Sequence, residues 1–236
     1  MKSIIVLCPG TGDGLGEVDM KSQDIGLLFK LICLQRQENG LHQQLESGNW
    51  QDWALDNDEE QGVVVFDKAD SSINSDEYMA ERYSVRALAQ ETGISKSQVS
   101  LALKRCIDVG LAKRDRKQGI PRANVKALFE FVVYGLRYVF PVRAGAVTRG
   151  IATSLGAPVL HGQLMSAGEL VPVWPDARGN TKGQEVEPLF KTTTYAVRKD
   201  AELYALLALV DAIRLGQPRE RNLAIDKLQQ RLEMAP

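Results

Sequence analysis

The chain has 236 residues, 44% of them hydrophobic, with 29 Lys and Arg against 30 Asp and Glu, a net charge of −1. That content supports a proper core, and no apolar run approaches the roughly 18 residues of a membrane-spanning helix. Total charge gives no sign of a nucleic-acid partner, but its distribution does: Glu38 to Glu77 holds 11 acidic residues against one basic, and from Ala80 onward 24 basic residues outnumber 15 acidic ones. An acidic stretch thus masks a basic body. The three cysteines, Cys8, Cys33 and Cys106, are far apart and form no CxxC pair, which suits buried thiols in a reducing cytosol. Ser3 to Cys8 is too short for a signal-peptide core, so a cytoplasmic, soluble protein is expected.

Met1 to Asp19 opens on a β-type run, Ile4-Ile5-Val6-Leu7, followed by Gly10, Gly12, Gly14 and Gly16. Glycines can let backbone amides cradle a phosphate, but this alternate spacing meets neither G-x-G-x-x-G nor G-x-x-x-x-G-K-[ST]. Residues 1–19 are therefore read as a flexible N-terminal extension. Met20 to Gln37 reads as a helix with Ser22 as cap. Its stripes Ile25, Leu28, Phe29, Ile32 and Leu27, Leu31, Leu34 cover enough of the circumference to predict burial. Residues 38–79 are rich in Asp, Glu, Asn, Gln, Gly and Ser. Their only apolar anchors are Trp50, Trp53 and the Val63–Phe66 run. They read as an acidic surface insertion, partly disordered, either simply solvated or folded as a flap over the basic part of the chain.

Ser84 to Leu111, SVRALAQETGISKSQVSLALKRCIDVGL, carries the most information. Ser84 can cap a first helix, with Val85, Leu88 and Ala89 on one face. Gly93 can end it in a left-handed conformation, and Ile94 plugs the turn. Ser95 caps a second helix over 95–109, whose inner face is Val99, Ala102, Leu103 and Ile107. Its outward residues are expected to be Ser95, Lys96, Ser97, Gln98, Ser100, Leu101, Lys104 and Arg105, a set able to read base edges or hold phosphates. Then comes a stretch with five cations in residues 112–122: Lys113, Arg114, Arg116, Lys117 and Arg122. A strand, a tip at Gly119 and a return strand would place them along a DNA backbone.

The spacing of Ala89, Gly93, Ile94 and Val99, followed by this cationic hairpin, resembles the winged helix-turn-helix domain of bacterial transcriptional regulators of the MarR or IclR kind. The resemblance covers residues 20–122, is interrupted by the insertion 38–79, and does not reach the C-terminal half. It implies a second helix in the major groove and a wing on the flanking backbone.

Asn124 to Phe140 reads as a second strongly apolar helix, capped by Asn124 and stopped by Pro141. Val142 to Val186 is rich in Gly, Pro, Thr and Ala, and few regular elements fit. Within it Arg143, Thr148, Arg149 and Thr153 could bind an anion through guanidinium and hydroxyl groups. Asp200 caps a helix over 201–215, and a last helix spans 220–233, a hairpin suited to closing the domain or pairing subunits.

The expected fold is thus mainly α with a small β wing: a winged helix-turn-helix domain over 20–122 and a helical, loop-rich region over 123–236. Catalysis is not expected, because neither His42 nor His161 has a neighbouring nucleophile in a recognisable motif. No His/Cys/Asp cluster has metal-ligand spacing, and no cofactor is implied. The expected function is a sequence-specific DNA-binding regulator, a homodimeric repressor on double-stranded DNA. The alternative is an antitoxin-like module that neutralises a partner protein and autoregulates its operon.

Overall fold

A computed structural model of the chain describes residues 3–9, 15–38, 50–53, 75–163 and 170–233. Most of the acidic insertion, residues 39–49 and 54–74 with the Val63–Phe66 run, lies outside these residues, so the expected flap does too, as do Gly10, Gly12, Gly14 and His42. In chain order the elements begin with strands β1 (Ser3–Pro9) and β2 (Leu15–Lys21) and helices α1 (Ser22–Glu38), α2 (Ser75–Arg82), α3 (Val85–Thr92) and α4 (Lys96–Asp108). A short hairpin, β3 (Ala112–Arg114) and β4 (Pro121–Ala123), follows. Then come α5 (Val125–Glu130), a π-helical turn at Phe131–Gly135 and α6 (Leu136–Val139), and the strands β5 (Ala144–Ala152), β6 (Pro172–Pro175) and β7 (Thr181–Val186). Helices α7 (Thr193–Lys199), α8 (Ala201–Leu215) and α9 (Pro218–Arg231) complete the chain. The fold is mainly helical, with small sheets.

The segment expected to be an extension pairs with itself. β1 and β2 run antiparallel from Ser3↔Lys21 to Pro9↔Leu15. Buried Met20 then leads directly into α1. In α1 every residue from Gln23 to Leu34 is buried, as its two apolar stripes require. Asp24 reaches back to accept a hydrogen bond from the Lys21 amide at 2.9 Å, the return half of a capping box.

The α3–α4 pair forms where its sequence places it, except that Ser95 stands at the N-cap of α4 without a side-chain capping hydrogen bond, its Oγ lying 3.4 Å from Ser97 Oγ. Ser84 Oγ accepts from the Ala87 amide at 3.1 Å, satisfying one amide left without a helical partner. Gly93 adopts φ 69°, where a side chain would be strained. A Cβ there would also lie 2.9 Å from Tyr195 and 3.0 Å from Thr192. After Val109–Leu111 the chain enters the β3–β4 hairpin, registered Ala112↔Ala123, Lys113↔Arg122 and Arg114↔Pro121. Asp115 Oδ1 accepts from the Lys117 and Gln118 amides at 2.8 and 3.0 Å, shaping the tip.

Asn124 caps the next helix through the Ala127 amide, but the single helix expected over 124–140 contains the π-helical turn at Phe131–Gly135. The 142–186 region departs further from expectation. Its three strands form one sheet in which β5 pairs antiparallel with β6 and with β7, and β6 runs parallel to β7. At Gly150 a Cβ would collide with the Trp174 carbonyl, so only glycine permits this approach of β5 to β6. Trp50–Trp53 of the insertion docks on this sheet. Asp52 accepts from the Ala152 amide at 2.5 Å and from Thr181 Oγ1 at 2.8 Å, and Trp53 packs edge-on against Tyr204.

Asp200 caps α8 by accepting from the Leu203 amide, and every residue of α8 from Leu203 to Arg214 is buried. One connected core runs from Met20 to Leu232, drawing on α1, α3, α4, α5 and α8 alike. The regions separated at residue 123 in the sequence share this interior. Lys30 of α1 marks the junction: its Nζ lies 2.8 Å from Asp200 and 3.1 Å from Glu91 of α3. Burial opposes its charge, but the two carboxylates more than offset that and hold its pKa above the ordinary lysine value.

Candidate nucleic-acid interface

Helix α4 buries Val99, Ala102, Leu103 and Cys106. The opposite face presents Ser95, Lys96, Ser97, Ser100, Leu101 and Lys104, all exposed. Positions 97, 100, 101 and 104 lie on one helical face, and Leu101 is 48% exposed at its centre. These six stand where the sequence places them.

Two expected outward residues do not. Arg105 turns toward α1 and grips Asp24 with two donors, Nε at 2.8 Å and Nη2 at 2.7 Å. Asp24 is fully buried, and the Arg105 side chain is only 13% exposed. Hydrogen bonding to Asp24 holds the guanidinium pKa above its usual value. Gln98 is half-buried, and its Oε1 accepts from Gln23 Nε2 at 3.1 Å. Residues 98 and 105 are two helical turns apart on the edge of the apolar stripe, and adjacent residues of α1 hold both. Neither is free to face a ligand lying against the exposed side of α4.

The hairpin divides in the same way. Lys113, Arg114, Arg116 and Lys117 are exposed, and Arg114 Nη1 donates to the Gly119 carbonyl at 3.1 Å, bracing the tip. Asp115, among these cations, is held below the usual carboxylate range by the Gln118 and Lys117 amides. Arg122 instead points inward: its Nη1 lies 2.7 Å from Glu38 and 2.8 Å from Tyr83 Oη, with the guanidinium over the Tyr83 ring. Six cations therefore remain exposed on α4 and the hairpin: Lys96, Lys104, Lys113, Arg114, Arg116 and Lys117.

The anion site expected at Arg143, Thr148 and Arg149 is not assembled. Thr148 and Arg149 are consecutive on β5, opposite Gly183 and Lys182, and consecutive strand residues project to opposite faces. Arg149 Nε donates to the Gly179 carbonyl at 2.5 Å, Arg143 is exposed before the strand begins, and Thr153 Oγ1 is bound to buried Asp211 at 3.1 Å. His161 is exposed. Among the described residues no three His, Cys, Asp or Glu side chains come together to hold a metal ion.

Comparison with family models, characterised proteins and solved structures finds no match. What the chain can do is therefore read from its own surface. The C-terminal half clasps the back of the α3–α4 turn: Thr192 Oγ1 donates to the Thr92 carbonyl at 2.8 Å, and Tyr195 Oη and Lys199 Nζ reach the Gln90 carbonyl at 3.0 and 3.2 Å. This clasp leaves the outer face of α4 uncovered. A face of hydroxyls, lysines and one apolar side chain, with a cationic hairpin leaving its C-terminal end, can donate to phosphates, bond base edges and pack against a methyl group. Among the described residues no helix is long and apolar enough to cross a membrane.

Proposed function

We propose that the protein is a DNA-binding transcriptional regulator with a winged helix-turn-helix. In this reading α4 enters the major groove through Ser97, Ser100, Leu101 and Lys104, and the β3–β4 hairpin follows the flanking backbone through Lys113, Arg114, Arg116 and Lys117. The observation that carries it is the division of labour on α4 and the hairpin. Arg105 and Arg122 are spent on internal ion pairs, while the other six cations of α4 and the hairpin that follows it stay exposed. One such helix reads only a few base pairs, so the working form is a homodimer acting as a repressor on an inverted repeat.

Selection of bound genomic fragments, followed by anisotropy titration across a salt series, tests this. One enriched inverted repeat is expected. Removing Lys117 as Lys117→Ala should lower affinity for every sequence and reduce the salt slope by about 0.9. Failure to retain any fragment above a random pool at low salt would end the proposal.

An interaction module that neutralises a partner protein is the second reading. It is favoured by Tyr134 and Tyr138, 73% and 74% exposed one turn apart, since tyrosine is enriched at protein interfaces. Co-purification of a stoichiometric protein with no enriched DNA would favour it.

A further inference from the structure

A cavity of about 300 Å³ lies between the α3–α4 turn and the C-terminal half, near the lower end of the size range for small-molecule sites. Ile94 and Gln98 form one wall, Ser22 and Gln23 at the start of α1 a second, and the segment Glu187–Thr192 the third, with Phe140 and Arg214 also lining it. Its rim is already tied. Thr192 Oγ1 to the Thr92 carbonyl fastens the third wall to the first, and Gln23 to Gln98 fastens the first to the second. The Phe190 ring packs directly on the α1 backbone at Gly26. A site preformed in this way orders little on binding, which favours affinity.

We infer that this cavity binds a small, flat, uncharged molecule, an aromatic carboxamide or related carbonyl compound. The apolar lining of Ile94, Phe140, Leu189 and Phe190 suits a ring. Among the polar groups of the lining, the Gln98 amide nitrogen belongs to α4 and has no hydrogen-bond partner among the described residues, while its oxygen is held by Gln23. A carbonyl oxygen completes it. Charge is not called for. The Arg214 guanidinium is already bound to Asp211 at 2.7 Å and to the Phe140 carbonyl at 3.0 Å, and Glu187 and Lys191 bring opposite signs to the third wall. The site itself does not depend on the DNA-binding proposal. Its regulatory consequence does: because Gln98 belongs to α4, an occupant is in direct contact with the helix proposed to read DNA.

The test uses the full chain without DNA and three probes sharing one ring: benzamide, benzoate and benzylamine. Saturation-transfer NMR and calorimetry should show benzamide binding at least tenfold more tightly than either charged analogue. Gln98→Ala should weaken benzamide about tenfold, the worth of one hydrogen bond. Ser22→Trp, at the half-exposed start of α1, should abolish binding by filling the mouth, with circular dichroism confirming the fold of both variants. No benzamide binding, equal binding of all three probes, or unchanged binding in both variants overturns the site. Benzamide that binds as expected yet leaves affinity for the selected DNA unchanged overturns the coupling alone. Failure to find any DNA overturns the proposed function and leaves the site standing.

Discussion

Lys104 and Arg105 are neighbours in sequence and should behave as opposites. Replacing Arg105 with alanine strips two charge-assisted donors from Asp24, which is fully buried. Breaking a buried ion pair by removing one partner costs about 3–5 kcal/mol, because the remaining charge is left uncompensated. The Lys21 amide still donates to Asp24, so the loss should fall near the lower end, about 3 kcal/mol. For a chain of this length that lowers the melting temperature by about 6–12 °C. Removing both partners, as Asp24→Leu with Arg105→Met, leaves no orphaned charge and should recover much of the loss. Lys104→Ala, one residue back and fully outside the core, should change stability by less than about 0.5 kcal/mol while weakening DNA binding. Urea unfolding followed by circular dichroism, run beside anisotropy titrations, separates the two effects. An Arg105→Ala protein that unfolds at the wild-type urea concentration would refute the inward role of Arg105, and a Lys104→Ala protein destabilised by several kcal/mol would refute the outward one of Lys104.

Lys30 makes a pH prediction. Its raised pKa means that above the unfolded lysine value, about 10.4, the folded state keeps a proton that the unfolded chain has released. Stability is therefore present below that pH and lost as pH rises through the folded value; Lys30→Met should show a shallower alkaline decline in urea titrations, by one proton's worth of slope. Trp53→Ala, which removes a buried ring packed against Trp50 and Tyr204, should cost about 3–5 kcal/mol, read from thermal unfolding; a loss below about 1 kcal/mol would mean that Trp50–Trp53 does not dock as described. Cys33 and Cys106 are buried, and burial pushes both thiols up, so peptide-resolved alkylation at pH 8 should label neither until denaturant is added.

Features fixed by neighbours in the chain were legible in the sequence. The caps at Ser84, Asn124 and Asp200 and the left-handed Gly93 involve atoms within four residues of each other, so residue type alone indicates them. The apolar stripes of α1 announced its burial. Features built from distant partners were not legible. Strand β5 is exposed over its first residues, Ala144–Val147, and its pairing starts at Ala144↔Val186, so no local alternation marks it as a strand. The inward turn of Arg105 depends on Asp24, and that of Arg122 on Glu38, both far back in the chain. The signal available was positional: Gln98 and Arg105 are seven apart on the border of the apolar stripe, where a long polar side chain can turn either way. A polar Gln23-Asp24 pair opening an otherwise apolar helix was the complementary hint.

The Lys30 contact has a consequence for any attempt to divide the chain. A clone ending near residue 123 would retain α1, α3 and α4 but discard Asp200, and with it the apolar flank that α8 lays against α1. The ammonium and the newly wetted leucines would then face solvent together. Such a fragment should come out insoluble or partly unfolded, so studies of the helix pair alone will need the whole polypeptide, with point substitutions in place of deletions.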